Sequence, residues 1–142
     1  MFSEWNMLEF PLVRVKINAT ITQEEFEDFK QNWENCYIHR EMFTLLFDTT
    51  NVGMLPIKYC FRTAAFIKKL KKKSTEEQFL QKSIIYVSNN TVLTLLKIIF
   101  YLTPPIAPVY FIKNNDDQYI QEVLDIIDNN DPLPKNISKI TP

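Results

Sequence analysis

Residues 84–112, IIYVSNNTVLTLLKIIFYLTPPIAPVYFI, alternate between two apolar runs of strand length and one apolar run of helix length. The run at 84–87 predicts a buried strand, and an Asn just before residue 91 can cap a helix over about 91–102. The helix must end before the Pro-Pro pair, and the run at 109–112 predicts a further strand. Because the prolines divide the stretch into pieces too short to span a bilayer, it predicts a strand, a helix and a strand, with no transmembrane span.

The segments before this stretch repeat the alternation of strand and helix. LVRVKINATI at 12–21 alternates apolar and polar residues, which indicates a strand with one covered and one solvated face. The capping box at Thr22–Glu25 begins a helix over about 23–37, whose aromatic residues at spacings of three and four predict a core-facing stripe. MFTLLF at 42–47 is typical of a strand covered on both faces, which places helices on both sides of a partly parallel sheet.

The rest of the chain supplies the remaining elements. Pro56 suits the first turn of a helix, and Asn115 can cap a last helix that ends near residue 128. Residues 2–9 are a weak candidate for one more strand. Gly53, the only glycine of the chain, is expected to supply a positive φ in the loop before the helix that Pro56 begins.

These elements predict a single layered α/β domain over residues 1–128. We expect a mixed sheet of four to five strands and about four helices, with right-handed crossovers between the parallel strands. Residues 129–142, rich in Asn, Asp, Pro and Lys, are expected to form an irregular C-terminal tail.

The composition excludes several classes of function. The net charge of −1 argues against a dedicated nucleic-acid binder. One glycine is too few for a dinucleotide-binding or P-loop motif, and two cysteines with one histidine are fewer ligands than structural zinc usually takes. We therefore predict neither a cofactor nor a metal. Because the cysteines form no disulfide framework and no secretory signal pattern is visible, the sequence predicts an intracellular, cytoplasmic protein.

The carboxyl ends of the predicted parallel strands carry candidate site residues. Asp48, Thr50 and Asn51 follow one strand and Asn89 follows the next, at the edge where open α/β sheets bind ligands. Asp48 is also a candidate phosphoryl-transfer nucleophile, although Thr50 stands where such phosphatases need a second carboxylate. The alternative, which the residue types favour, is that these side chains only form caps and turns.

Two helices carry further candidates. The first ends in a basic cluster, which is either a solvated cationic helix end or a contact for an anionic surface such as lipid headgroups. The helix at 91–102 is apolar almost all round, so a partner subunit, a lipid or the N-terminal segment is expected to cover it. The candidate residues are Lys68, Lys69, Lys71, Lys72 and Lys73 in the cluster, and Leu96, Ile99 and Phe100 in the helix.

The order and length of these elements resemble the STAS domain of bacterial anti-anti-sigma factors and the related lipid-binding lobe of CRAL-TRIO proteins. Two segments carry the resemblance, FDTTNVG at 47–53 and residues 84–112. CRAL-TRIO lobes have a comparable Asn-containing turn before an apolar gate helix. The resemblance implies a STAS/CRAL-TRIO-like topology over about 100 of the 142 residues.

Three hypotheses about function follow. The first is a non-enzymatic protein–protein interaction or assembly module of STAS-like type, which could be a homodimer through residues 91–102. The alternative is CRAL-TRIO-like binding of a hydrophobic ligand or anionic lipid, with 91–102 as the gate and Lys68–Lys73 as the headgroup contact, peripheral at a membrane. A third is a phosphoryl-transfer enzyme that uses Asp48.

Overall fold

The computed structural model describes residues 2–142, which form a six-stranded mixed sheet and four α-helices. The α/β class and the number of helices are therefore confirmed. The strands are β1 (Ser3–Asn6), β2 (Leu12–Ile17), β3 (Phe43–Asp48), β4 (Leu80–Tyr86), β5 (Val109–Ile112) and β6 (Ser138–Ile140). The helices are α1 (Gln23–Asn35), α2 (Ile57–Lys71), α3 (Asn90–Leu102) and α4 (Asp117–Asp128), and a 3₁₀ turn at Cys36–His39 follows α1.

The six strands lie in the sheet in their order along the chain. Strands β2 to β5 are parallel to one another, and the edge strands β1 and β6 are antiparallel to their neighbours. The register places Val15, Phe47, Ile85 and Phe111 opposite one another across the four parallel strands. This row lies on one face of the sheet, because side chains alternate between the two faces along a strand.

Helices α1, α2 and α3 pack on the face that carries this row, and they form the larger hydrophobic core with it. The aromatic stripe predicted for α1 is buried there, with Phe26, Phe29 and Trp33 exposed by 2%, 6% and 6%. The predicted N-cap is also confirmed, since the hydroxyl of Thr22 accepts a hydrogen bond from the backbone N–H of Glu25 at 3.2 Å.

Helix α4 packs on the opposite face and forms a second, smaller core. There Leu46, Ile84 and Tyr110 meet Ile120 and Val123 of the helix. Helices on both sides of the sheet explain why β3 is buried along nearly its whole length. The end of α4 is also tied to the sheet, because the buried Lys82 of β4 donates to the Asp128 carboxylate at 3.1 Å.

The prediction of four to five strands is wrong, because the C-terminal segment contributes a sixth strand. Residues 129–142 were expected to be irregular, but Ser138–Ile140 pairs with β5 and completes the sheet. The buried Ile137 anchors this stretch in the smaller core. Three residues are too few to display an alternating pattern, so the sequence carried no signal for β6.

Gly53 does not have the positive φ expected of it. The chain turns earlier in the loop, where the N–H of Val52 donates to the carbonyl of Thr49 at 3.1 Å. A Cβ atom added to Gly53 would meet no atom within 4 Å. Among residues 2–142, the positive φ values belong to Arg40 (52°) and Asn130 (58°), each of which follows a helical segment.

Candidate functional site

An apolar cavity of about 140 Å³ lies between the sheet and helices α1, α2 and α3. The sheet contributes Phe47 and Ile85 to its wall, α1 contributes Phe29 and Trp33, and α2 contributes Ile67 among others. Nineteen described residues line the cavity, and none of them carries a charge. The cavity is partly open to solvent, but water gains few hydrogen bonds from so apolar a lining, which favours an apolar occupant.

The two threonines in the cavity wall do not offer free hydroxyl groups. Thr49 donates its hydroxyl proton to the carbonyl of Tyr86 at 2.5 Å, and Thr63 donates its own to the carbonyl of Tyr59 at 2.7 Å. Each hydroxyl therefore has a partner in the backbone nearby. The cavity can accept apolar groups, and these hydroxyls give it little means to orient a polar one. The indole N–H of Trp33, which also lines the cavity, is buried and has no hydrogen-bond partner.

Loops at the carboxyl ends of the parallel strands border the cavity. Ile21 comes from the loop after β2, and Val52 and Leu55 come from the loop after β3. Toward the other end of the sheet, a smaller cavity of about 30 Å³ shares Trp33 and Phe100 with the first and reaches Pro105. The two cavities together mark a line of imperfect packing along the layer of helices.

Helix α3 covers the cavity with the three residues that the sequence singled out. Leu96, Ile99 and Phe100 all line the cavity and are half-buried. The prediction that a partner subunit, a lipid or the N-terminal segment covers α3 stays a prediction; the helix presents one line of exposed side chains to solvent. Thr91, Thr94, Lys97 and Tyr101 form this exposed line, at the three- and four-residue spacing of one helix face.

Few polar contacts hold α3 in place. At its start, the side chain of Asn89 accepts a hydrogen bond from the N–H of Val92 at 2.9 Å, which confirms the predicted N-cap. The thiol of Cys60 lies 4.0 Å from the carbonyl of Leu95, a weak contact with α2. Beyond the end of α3, the ammonium group of Lys71 donates to the carbonyl of Pro104 at 3.1 Å. Most of the attachment of α3 is therefore apolar packing.

The polar candidates at the carboxyl ends of β3 and β4 serve the local backbone. The Asp48 carboxylate accepts from the N–H of Thr50 at 2.9 Å and from its hydroxyl at 2.5 Å, which closes a turn. Asn89 caps α3, and Asn51 is exposed. This arrangement favours the interpretation of these residues as caps and turns.

The lysine cluster lies at the far end of the sheet from these polar residues. Helix α2 begins after β3 and ends before β4, so its last turn and the lysines that follow lie at the amino ends of the parallel strands. Three of the lysines have partners. Lys69 lies 3.8 Å from the Glu34 carboxylate, Lys73 lies over the ring of Tyr37, and Lys71 contacts Pro104. The lysine cluster and the polar residues that follow β3 and β4 therefore lie at opposite ends of the parallel strands.

An open groove lies on the other face of the sheet, beside the start of α4. It is lined by charged side chains of both signs, among them Lys16, Asp48 and Asp117. The Arg14 guanidinium in this groove is already paired with Glu9 at 2.7 Å and with Asp117 at 3.4 Å. The groove is lined by two basic and three acidic side chains, so it offers no surplus of positive charge to an anionic ligand.

The two cysteines, Cys36 and Cys60, are both buried, but only Cys60 lines the cavity. Burial raises the pKa of the Cys36 thiol from 9.0 to about 11, and burial also raises the pKa of Cys60. A thiol with a raised pKa is a poor nucleophile near neutral pH. Cys60 lines the cavity and Cys36 does not, which makes the pair useful for testing the cavity.

Comparisons with known proteins return no match: no protein family, no curated protein and no solved structure resembles this chain closely enough to be identified. Within residues 2–142 there is no group of three or more His, Cys, Asp or Glu side chains that could hold a metal ion. None of the described helices is long and apolar enough to cross a membrane.

Proposed function

We propose that this protein binds a small apolar ligand in the cavity beneath α3. The single observation that carries the proposal is the uncharged cavity of about 140 Å³ whose cover includes Leu96, Ile99 and Phe100. An enclosed empty cavity destabilises a protein by about 24 cal/mol per Å³, so about 3 kcal/mol is the upper limit for a partly open cavity of this volume. A ligand that fills the space recovers part of that energy, so binding needs no polar anchor.

The size of the cavity sets the size of the ligand. A dry apolar cavity of roughly 150 Å³ accommodates benzene or xenon in another protein, whereas sites for drug-sized ligands take roughly 300–1,000 Å³. A ligand of about six carbon atoms therefore fits the cavity as it stands. A longer acyl chain requires α3 to move outward, and the scarcity of polar contacts along α3 supports this helix as the movable cover.

The same observation supports a CRAL-TRIO-like interpretation of the fold, in which an apolar helix gates a hydrophobic site. We extend the proposal to a STAS/CRAL-TRIO-like topology, supported by the four successive parallel strands with α1 to α3 on one face. The lysine cluster has no part in this site, because it lies at the other end of the helical layer from the loops at Ile21 and Leu55.

The other two hypotheses stay predictions. A homodimer through residues 91–102 would have to form on the exposed line of α3, where Lys97 is charged and Tyr101 is the only large apolar side chain of that line. Phosphoryl transfer by Asp48 would have to compete with the two hydrogen bonds that its carboxylate accepts from Thr50. Neither hypothesis has a geometric feature as specific as the cavity.

A methyl NMR titration with benzene tests the proposed function. We expect saturable shifts of the methyl groups of Leu96, Ile99 and Val92, because all three line the cavity. The methyl groups of Ile120 and Val123 in the smaller core are the internal control and should not shift. Shifts spread equally over both cores, or none at the cavity, would show that the proposed site does not bind.

A further inference from the structure

The charges of the chain are segregated along the sequence. Residues 49–115, which contain α2 and α3, have ten Lys and Arg residues and two Asp and Glu residues. The remainder of the chain has six Lys and Arg residues and fifteen Asp and Glu residues. The net charge of −1 is therefore the sum of a basic segment, residues 49–115, and an acidic remainder. Helices α2 and α3, which pack side by side, both belong to the basic segment.

The outward face of α2 has two different ends. Ile57, Phe61, Lys68 and Lys72 are separated by four, seven and four residues, which places them on one face of the helix. Ile57 and Phe61 are 57% and 53% exposed, and both lysines are exposed as well. This ridge, which we call the α2 ridge, extends about 22 Å at the rise of an α-helix, from an apolar end to a cationic end.

Neighbouring side chains do not neutralise the α2 ridge. Lys69 and Arg62 turn toward α1, where they contact Glu34 and Gln23 respectively. Lys68 and Lys72 make no ion pair with any residue in the described part of the chain. Met54, in the loop just before α2, is 79% exposed and enlarges the apolar end.

We infer that the α2 ridge docks the protein on an anionic lipid bilayer. Exposed apolar side chains insert into the region between headgroups and acyl chains, while lysines beside them attract anionic headgroups. Helices α2 and α3 carry no acidic side chain, so this part of the surface favours anionic headgroups. A nucleic acid or an acidic protein would contact only the lysines, whereas a bilayer would also take up the exposed side chains of Met54, Ile57 and Phe61. This inference concerns the outer surface of α2 and does not require a ligand in the cavity.

Sedimentation of the 142-residue protein with vesicles tests the inference. We expect binding to phosphatidylcholine vesicles that contain phosphatidylserine, weaker binding to phosphatidylcholine alone, and loss of binding at high salt. The double variant Lys68→Glu/Lys72→Glu should bind the anionic vesicles at least about 30-fold more weakly, since that factor corresponds to the removal of two lysine contacts. The double variant Ile57→Ser/Phe61→Ser should also bind more weakly, because it removes the inserting side chains.

The matched control is Lys135→Glu/Lys139→Glu, which changes the net charge by the same amount at two exposed positions outside the α2 ridge. It should bind within about twofold of the wild type. Thermal unfolding of each variant separates a loss of folding from a loss of binding. The inference is overturned if the wild-type protein ignores anionic vesicles or if both lysine variants lose binding equally. It is also overturned if the lysines of the α2 ridge are needed only for RNA binding or for self-association.

Discussion

Two single variants, Cys60→Leu and Cys36→Leu, make the same chemical change at a buried position beside the cavity and at a buried position away from it. Cys60 lines the cavity, whereas Cys36 lines none of the cavities described above and is 0% exposed. We expect Cys60→Leu to stabilise the protein and Cys36→Leu to destabilise it. A difference in sign is a stronger test than a difference in size, because it does not depend on the calibration of the energies.

The magnitudes follow from the volumes. The unfilled cavity destabilises the fold by at most about 3 kcal/mol. The two additional heavy atoms of leucine fill roughly a third of it, so Cys60→Leu should gain up to about 1 kcal/mol. The substitution sacrifices only the weak contact between the thiol and the carbonyl of Leu95. At Cys36 there is no space for the added atoms, and overpacking there should reduce stability by about 1–3 kcal/mol.

Urea unfolding monitored by tryptophan fluorescence measures both effects, and thermal unfolding should show a midpoint about 3 °C higher for Cys60→Leu. Cys60→Leu should also weaken the benzene-induced methyl shifts, because it reduces the volume of the cavity. If Cys60→Leu lowers the free energy of unfolding as much as Cys36→Leu does, the space between α2 and α3 is already filled and the argument for a binding cavity fails.

Two further predictions concern single residues. Asn89→Ala should lower the free energy of unfolding by about 1 kcal/mol, because it removes the side chain that accepts a hydrogen bond from the N–H of Val92. The control is Asn90→Ala, one residue further along the chain. Equal losses of stability in the two variants would refute the capping role of Asn89. Burial raises the pKa of Cys36 from 9.0 to about 11, so between these pH values the folded state retains a proton that the unfolded state has released. The free energy of unfolding should therefore be unaffected by this thiol below pH 9 and should fall as the pH rises toward 11, by about 1.4 kcal/mol per pH unit. Denaturant titrations should show a shallower fall in Cys36→Ala.

The sequence predicted the elements whose patterns are local. The alternation in β2, the capping box of α1 and the prolines after α3 each act on neighbouring residues, and the structure follows all three. Strand β6 was missed, because Ser138–Ile140 is positioned by the burial of Ile137 and by pairing with β5, and neither leaves a local pattern.

The candidate site was predictable only in part, for a related reason. The apolar character of α3 drew attention to Leu96, Ile99 and Phe100, which do line the cavity. The other walls come from residues such as Ile21 and Leu55, which are remote in sequence and are unremarkable as loop residues. Ile21 and Leu55 come close to α3 only because three crossovers connect the parallel strands. The spacing of these residues in the sequence does not show that they are close in space.

We propose that the space beneath α3 is an apolar cavity that binds an apolar ligand. A crystal of the protein pressurised with xenon tests this claim most directly, because xenon occupies dry apolar cavities of this size. We expect a xenon atom among Trp33, Leu96 and Ile99 in the wild-type protein and a lower xenon occupancy there in Cys60→Leu. Ordered water at that position, or side chains that close the space and leave no xenon, would contradict it.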